Sequence, residues 1–230
     1  MNRRILFALL LIAAVALAAC AGEVNLLDET KLQDTSLLSG EPCEAPCWNG
    51  ITPGETSYRD AEVILKSAGR LKITEESQAE DDNPGRVIVF AEGENQPCCQ
   101  VISRDGETIT SFLLQLAPAM RFGPVFDKFG EPQYVAGQQV SEEQAYAVFV
   151  YPETPMVIYS YVAGGAQGAV SVDNKIIGVM YMAESEMQEL LTCARLHLWK
   201  GFVSLGAYAD AEAFDYVGSG VGDEAICPES

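Results

Sequence analysis

Apolar residues recur at helical spacing in three stretches of the chain. Tyr58, Ala61, Ile64, Leu65 and Ala68 form one stripe, with Ser57 as N-cap and Asp60 three residues on as a variant capping box. Gly69 stands where a C′ glycine belongs. Phe122, Val125, Phe126 and Phe129 recur at i, i+3, i+4 and i+7. Pro124 fits the first turn of that helix, Gly130 fits C′, and Pro132 stops it. A third helix opens with Ser185 and Gln188 as a capping box and carries Met187, Leu190, Leu191, Ala194 and Leu198. It ends at Trp199-Lys200-Gly201-Phe202.

Strand-like runs lie between these helices. Arg86 to Ala91, Tyr146 to Tyr151 and Met156 to Val162 are rich in β-branched and aromatic residues. Cys99 to Ser103 and Glu107 to Leu116 read as a hairpin around Asp105-Gly106, a dipeptide suited to a type I′ turn. A second hairpin is expected from Ala169 to Ala183 around Asp173-Asn174. Residues 74–86 read as an acidic loop. A helix, strands and an Asp-containing hairpin thus occur twice. The pattern predicts an α+β fold with helices packed on antiparallel β-sheet, built as two similar halves at residues 42–117 and 118–183. A C-terminal helix and a glycine-rich, acidic tail fill residues 184–230.

The N-terminus reads as an address. Arg3 and Arg4 precede an apolar run from Ile5 to Leu17 that is too short to span a bilayer comfortably. Leu17-Ala18-Ala19-Cys20 follows, and small residues before a cysteine resemble the lipobox of bacterial lipoproteins. That resemblance implies a signal peptide at residues 1–19, a diacylglycerol on the Cys20 thiol, and further acylation (palmitate-type chains) on the new amine. Two or three chains anchor stably where one does not. Residues 20–41 are expected to be a flexible tether.

Setting Cys20 aside leaves Cys43, Cys47, Cys98, Cys99, Cys193 and Cys227. An even number in an exported domain reads as disulfides, with about 15 pairings open. Adjacent Cys98 and Cys99 are expected not to bond each other. The expected arrangement brings the Cys43/Cys47 pair to the Cys98/Cys99 pair and joins Cys193 to Cys227. A metal reading competes: Cys193 and His197 fall at i, i+4 on the predicted third helix, but two ligands do not make a site.

Composition narrows the function further. Fourteen Lys+Arg stand against 33 Asp+Glu, for a net charge of −19. Loss of residues 1–19 removes two arginines and no acid, so the mature chain is at −21. Such a chain lacks the basic footprint of a nucleic-acid binder. The lone histidine, His197, limits histidine-based catalysis. Glu80-Asp81-Asp82-Asn83 lacks the alternating ligands of a calcium loop, and Gly218 to Gly222 lacks the lysine of a phosphate loop. No catalytic residue, metal site or cofactor is assigned. Trp48, Trp199 and Phe202, with Tyr159 and Tyr161, are candidates for an exposed aromatic binding patch.

The segment Pro46-Cys47-Trp48-Asn49-Gly50-Ile51-Thr52-Pro53-Gly54-Glu55-Thr56 resembles a Pro-Cys-Trp-x-Gly-Ile-x-Pro-Gly-x-Thr block of a family of uncharacterised bacterial lipoproteins. Residues 122–132 resemble the second block of that family. More loosely, Gly54-x-Thr56 before a helix is similar to the small lipoprotein of the outer-membrane β-barrel assembly machine and to β-lactamase-inhibitor-protein-like domains. Those relatives imply helices on an antiparallel sheet and action by binding proteins. The expectation is therefore a non-enzymatic lipoprotein of the cell envelope, extracytoplasmic, held at the membrane by its lipid, that binds a protein partner or other envelope ligand. The alternatives are a carboxylate-based extracytoplasmic hydrolase and a calcium- or metal-binding lipoprotein.

Overall fold

The computed structural model describes residues 25–77, 80 and 83–209. The expected signal peptide, Cys20, Cys227 and the tail beyond 209 lie outside the described residues. The chain runs α1 (Ser36–Ser39), α2 (Tyr58–Ser67), β1 (Leu71–Glu76), β2 (Arg86–Glu92), β3 (Cys99–Ser103) and β4 (Ser111–Gln115). Then come α3 (Phe122–Phe129), β5 (Tyr134–Gln139), β6 (Gln144–Tyr151), β7 (Met156–Ala163), β8 (Ile176–Met182), α4 (Glu184–Cys193), β9 (His197–Leu198) and α5 (Leu205–Ala209). The nine strands among the described residues join one sheet in the order β1-β2-β3-β4-β8-β7-β6-β5-β9, and the pairings are antiparallel. The mostly antiparallel architecture agrees with the α+β expectation. A helix followed by four strands occurs twice, and the two four-stranded runs meet where β4 pairs with β8.

Side chains alternate across the sheet because the strand period is two. Phe90, Val101, Phe112, Leu114, Phe149, Ile158, Val179 and Tyr181 point to a first face and form one buried cluster with Tyr58, Ala61 and Leu65 of α2 and Phe122 and Val125 of α3. A smaller cluster on the second face joins Tyr134, Val150, Val157 and Met182 to Met187 of α4 and Leu196.

Local signals were met unevenly. Ser57 caps α2: its Oγ accepts from Asp60 N at 3.1 Å and donates to Asp60 Oδ2 at 2.8 Å. Gly130 closes α3 at φ 77°, a conformation that favours glycine. Gly69 is not left-handed, and α2 instead ends on extended Ala68. The Ser185 box does not form, since Ala183 occupies the N-cap position without a side-chain bond. The Asp105-Gly106 hairpin is wider than expected, for β3 and β4 are joined through residues 104–110. The Asp173-Asn174 hairpin is also not formed. β8 pairs with β4 and β7, while the carbonyls of Val172 and Asn174 accept from Gly123 N and Phe122 N at the start of α3. Three strands, β1, β5 and β9, fall where none was expected, β9 within the run read as the third helix.

The segment expected as a tether is docked from residue 25 onward. Leu32 and Leu37 are buried in the main core. Leu32 N donates to Gln115 O at 3.1 Å, and Ala117 N donates to Leu32 O at 3.0 Å.

Candidate functional site

The first face of the sheet is closed by α2, α3 and the loop over Trp48. Among the described residues the second face is closed only in part, by α4 at one place and by residues 25–31 at another. Two adjoining cavities lie there among the described residues. One, of about 370 Å³, lies under α4 and is walled by Val148, Val150, Val157, Met180, Met182 and Leu190, with Cys193 and Arg104 at its edge. The other, of about 420 Å³, lies under Leu26 and is walled by Leu113, Leu116, Tyr146, Ile177 and Gly178. Tyr159 lines both.

The backbone explains why the walls meet there. β7 and β8 shift register between Tyr159 and Ser160, so that Tyr159 faces Gly178 and Ser160 faces Ile176. Ile177 is the extra residue of a bulge, which re-aims side chains. Gly178 has no Cβ; one built there would sit 3.2 Å from Leu114 O and 3.5 Å from the Tyr159 ring. Glycine here marks the close approach of Leu114 O and of the Tyr159 side chain to the strand. Tyr146 lies beside it, ring centres 6.1 Å apart. Burial, seconded by Tyr146, pushes the Tyr159 hydroxyl above the usual phenol range.

Charge is confined to the rims. Arg104 Nη2 meets Glu186 Oε2 at 2.8 Å and its Nη1 meets Glu189 Oε2 at 2.7 Å, tying the β3–β4 loop to α4. Burial raises the Glu186 carboxyl, and Arg104 partly opposes that rise. At the other rim Asp28 is held below the usual carboxylate range, first by the hydroxyl and then by the amide of Thr30. Leu26 N donates to Gln144 Oε1 at 3.2 Å, which fixes the entering strand of chain across β6.

The sequence-predicted residues are distributed differently. Trp48 is 1% exposed and belongs to the core. Its ring lies 5.7 Å from Phe90 and 6.1 Å from Phe112. Asn49 and Gly50, both left-handed at φ 52° and 86°, turn the chain so that Trp48 and Ile51 bond reciprocally at 3.0 and 2.8 Å. The Asn-Gly turn thus folds two large apolar residues into the core, where they act as a plug and not as a contact surface. Trp199 and Phe202 do meet, 5.3 Å apart and edge to face. Phe202 is exposed, as are Val203 and Val172, while the buried Trp199 Nε1 has no hydrogen-bond partner among the described residues.

The cysteine expectation is corrected. Cys43 bonds Cys47, and Cys98 bonds its neighbour Cys99. Cys98 precedes β3, so the up-down alternation of a strand does not separate the two sulfurs. Cys193 is disulfide-bonded, and the expected partner Cys227 lies outside the described residues. Helix α4 ends at Cys193, and His197 sits on β9 opposite Val135, so the two do not share a helix face. Burial, then Lys200 and Arg195, depress the His197 imidazole. Among the described residues no three His, Cys, Asp or Glu gather where a metal would be held, and no helix is long and apolar enough to cross a membrane. The signal that located Tyr159 was its aromatic, β-branched run; nothing in spacing marked Met180 or Ile177 as its neighbours.

No protein-family model, curated protein or solved structure matches the chain.

Proposed function

We propose that the chain is a lipid-anchored, extracytoplasmic envelope protein, non-enzymatic, that binds a protein partner through the partly covered second face of its sheet. The observation that carries this reading is the pair of apolar cavities joined at Tyr159, flanked by the first described residues of the chain. An anchor at Cys20 would stand five residues before Asn25, within about 18 Å of this face when fully extended. The two runs of one helix and four strands are read as two similar halves with helices packed on one side, which leaves the opposite side for recognition. The resemblance to proteins that act by binding proteins points the same way. The bridging of Glu186 and Glu189 by Arg104 favours binding over carboxylate catalysis, because both acids are held as ion pairs.

Two measurements test it. Radiolabelled palmitate should enter the wild-type chain and not Cys20→Ser. A photo-crosslinking amino acid at Tyr159, introduced into cells, should give a discrete adduct that is lost in Ile177→Asp. The same probe at Val63, which is 56% exposed on α2, should give none. Label retained in Cys20→Ser, or equal adducts from both positions, would sink the reading.

A further inference from the structure

We propose that the cavity under α4 binds the acyl chain of an uncharged lipid ester, whose ester carbonyl accepts a hydrogen bond from the Tyr159 hydroxyl. The inference goes beyond the protein-partner reading. It rests on that reading only in placing the chain at an envelope membrane, where acyl esters surround it. Val148, Val150, Val157, Met180, Met182 and Leu190 give the cavity of about 370 Å³ an apolar wall. Tyr159 is shared with the neighbouring cavity of about 420 Å³, so an unbranched, flexible chain longer than the first can run past the ring into the second. Spaces of this size, apolar except for a few polar groups, suit a small apolar ligand. Two of the wall residues are methionines, whose side chains adapt to a flexible occupant.

One polar group in this apolar wall lacks a good partner. Among the described residues the Tyr159 hydroxyl meets only Met180 Sδ, at 4.0 Å, and a thioether is a weak acceptor. A tyrosine hydroxyl withdrawn from water ordinarily has a stronger one. Tyr159 and Met180 both line the cavity, so a carbonyl oxygen on a bound ligand supplies the missing acceptor. The rims select against a charged head. Arg104 lies between Glu186 and Glu189 at 2.8 and 2.7 Å, so its charge is already matched by two acids at that edge. At the other rim Lys31 and Asp28 offset each other at 3.8 Å. A fatty-acid carboxylate under α4 would be brought up against like charge, which is costly. A glycerol ester adds no charge, and its hydroxyls can donate to Glu186 and Glu189.

The test uses membranes from cells that express the full chain. The probe is a monoacylglycerol whose acyl chain carries a diazirine and an alkyne, and a fatty acid with the same tail is its charged counterpart. After irradiation and digestion, the monoacylglycerol should mark peptides of β7, β8 and α4 and leave the α2 peptide that contains Val63 unmarked. The fatty acid should mark them less, by about fivefold or more. Tyr159→Phe, which keeps the ring and removes the donor, should lower marking by about fivefold. Met180→Trp, which fills the cavity, should bring it to the level of the α2 peptide. No marking, equal marking of α2, equal marking by the fatty acid, or a Tyr159→Phe variant within about twofold of wild type would overturn the inference. Marking seen only in Cys20→Ser would overturn it too, because the chain's own acyl group would then hold the site. Lipid marking as expected, with no protein adduct from the probe at position 159, would instead overturn the protein-partner reading alone.

Discussion

The indole Nε1 of Trp48 donates to Asp34 Oδ2 at 3.0 Å, linking the plug of the core to the segment that enters it. The same oxygen accepts from Arg70 Nη2 at 3.0 Å, just beyond α2, and Asp34 Oδ1 accepts from Ser36 N at 2.8 Å at the start of α1. One carboxylate, its side chain 8% exposed, thus satisfies a buried donor, a cation and a helix start. Removing one partner of a buried pair strands the other, which costs more than the pair was worth. Asp34→Ala should lower unfolding free energy by about 2–3 kcal/mol, and Asp34→Asn, which retains a carbonyl for Trp48, by about half of that. Urea unfolding measures both; an alanine variant as stable as wild type would contradict the role.

Asp105 predicts a dependence on acid. Its Oδ1 accepts from Thr108 N and Glu107 N at 2.8 Å and from Ser103 Oγ at 2.9 Å, and these bonds hold its carboxyl below the usual range. A carboxyl depressed in the folded state stabilises above its unfolded pKa, near 4, and loses that contribution as pH falls through the folded value. Because the residue is exposed, the contribution is discounted to about 1 kcal/mol or less. Asp105→Asn should therefore be less stable than wild type at pH 7, and the gap should close as pH falls through the folded value. A gap that persists unchanged into acid would point to a steric cause.

Glu186 carries the opposite sign. Its carboxyl is raised by burial, so the contribution is present below the unfolded pKa and lost as pH rises through the folded value. Arg104 is what limits that loss. In Arg104→Ala, stability should drop from pH 4 to pH 8 more steeply than in wild type. The difference at pH 8 should be about 1 kcal/mol, a modest figure because the guanidinium is half exposed. Denaturant midpoints at the two pH values decide; parallel slopes would show that the clamp does not control Glu186.

Much of the fold could be read from the sequence where local chemistry and burial coincide. The Ser57 cap, the Phe122–Phe129 stripe and the paired strands β6 and β7 are cases where each residue's own preference matches its final place. The failures share another cause. β1, with Lys72, Glu75 and Glu76, is an edge strand whose charged residues resemble a loop, and within the sheet it pairs with β2 alone. The run after Cys193 continues a helical period, yet Leu196 goes to the second-face cluster and His197 to β5, so tertiary pairing overrides the pattern. Trp48 stood as a candidate for both an exposed patch and the core, because nothing local reveals that Phe90 and Phe112 will enclose it. The cavity at Tyr159 depends on a bulge between β7 and β8 and on Gly178, a pairing of residues almost twenty positions apart. Spacing within either strand carries no trace of it.

The disulfides give the last prediction. Each described bridge closes a short loop, so neither joins the Trp48 loop to β3. A non-reduced digest should yield Cys43–Cys47 and Cys98–Cys99 within single peptides, and no peptide pair crossing between them. The Cys43–Cys47 ring precedes Trp48 and includes Glu44, whose Oε2 meets Lys128 Nζ of α3 at 2.8 Å; that amine also donates to the carbonyls of Leu37 and Leu38 at 3.2 Å. Opening the ring frees Glu44 as well as the unfolded chain. A loop this short restricts the unfolded state by about 2 kcal/mol, less than a long-range bridge would. The double variant Cys43→Ser/Cys47→Ser should lose about that amount, and Lys128→Met added to it should cost less than Lys128→Met alone, because the two changes remove the same link. Strict additivity would mean that the ring and the lysine act independently.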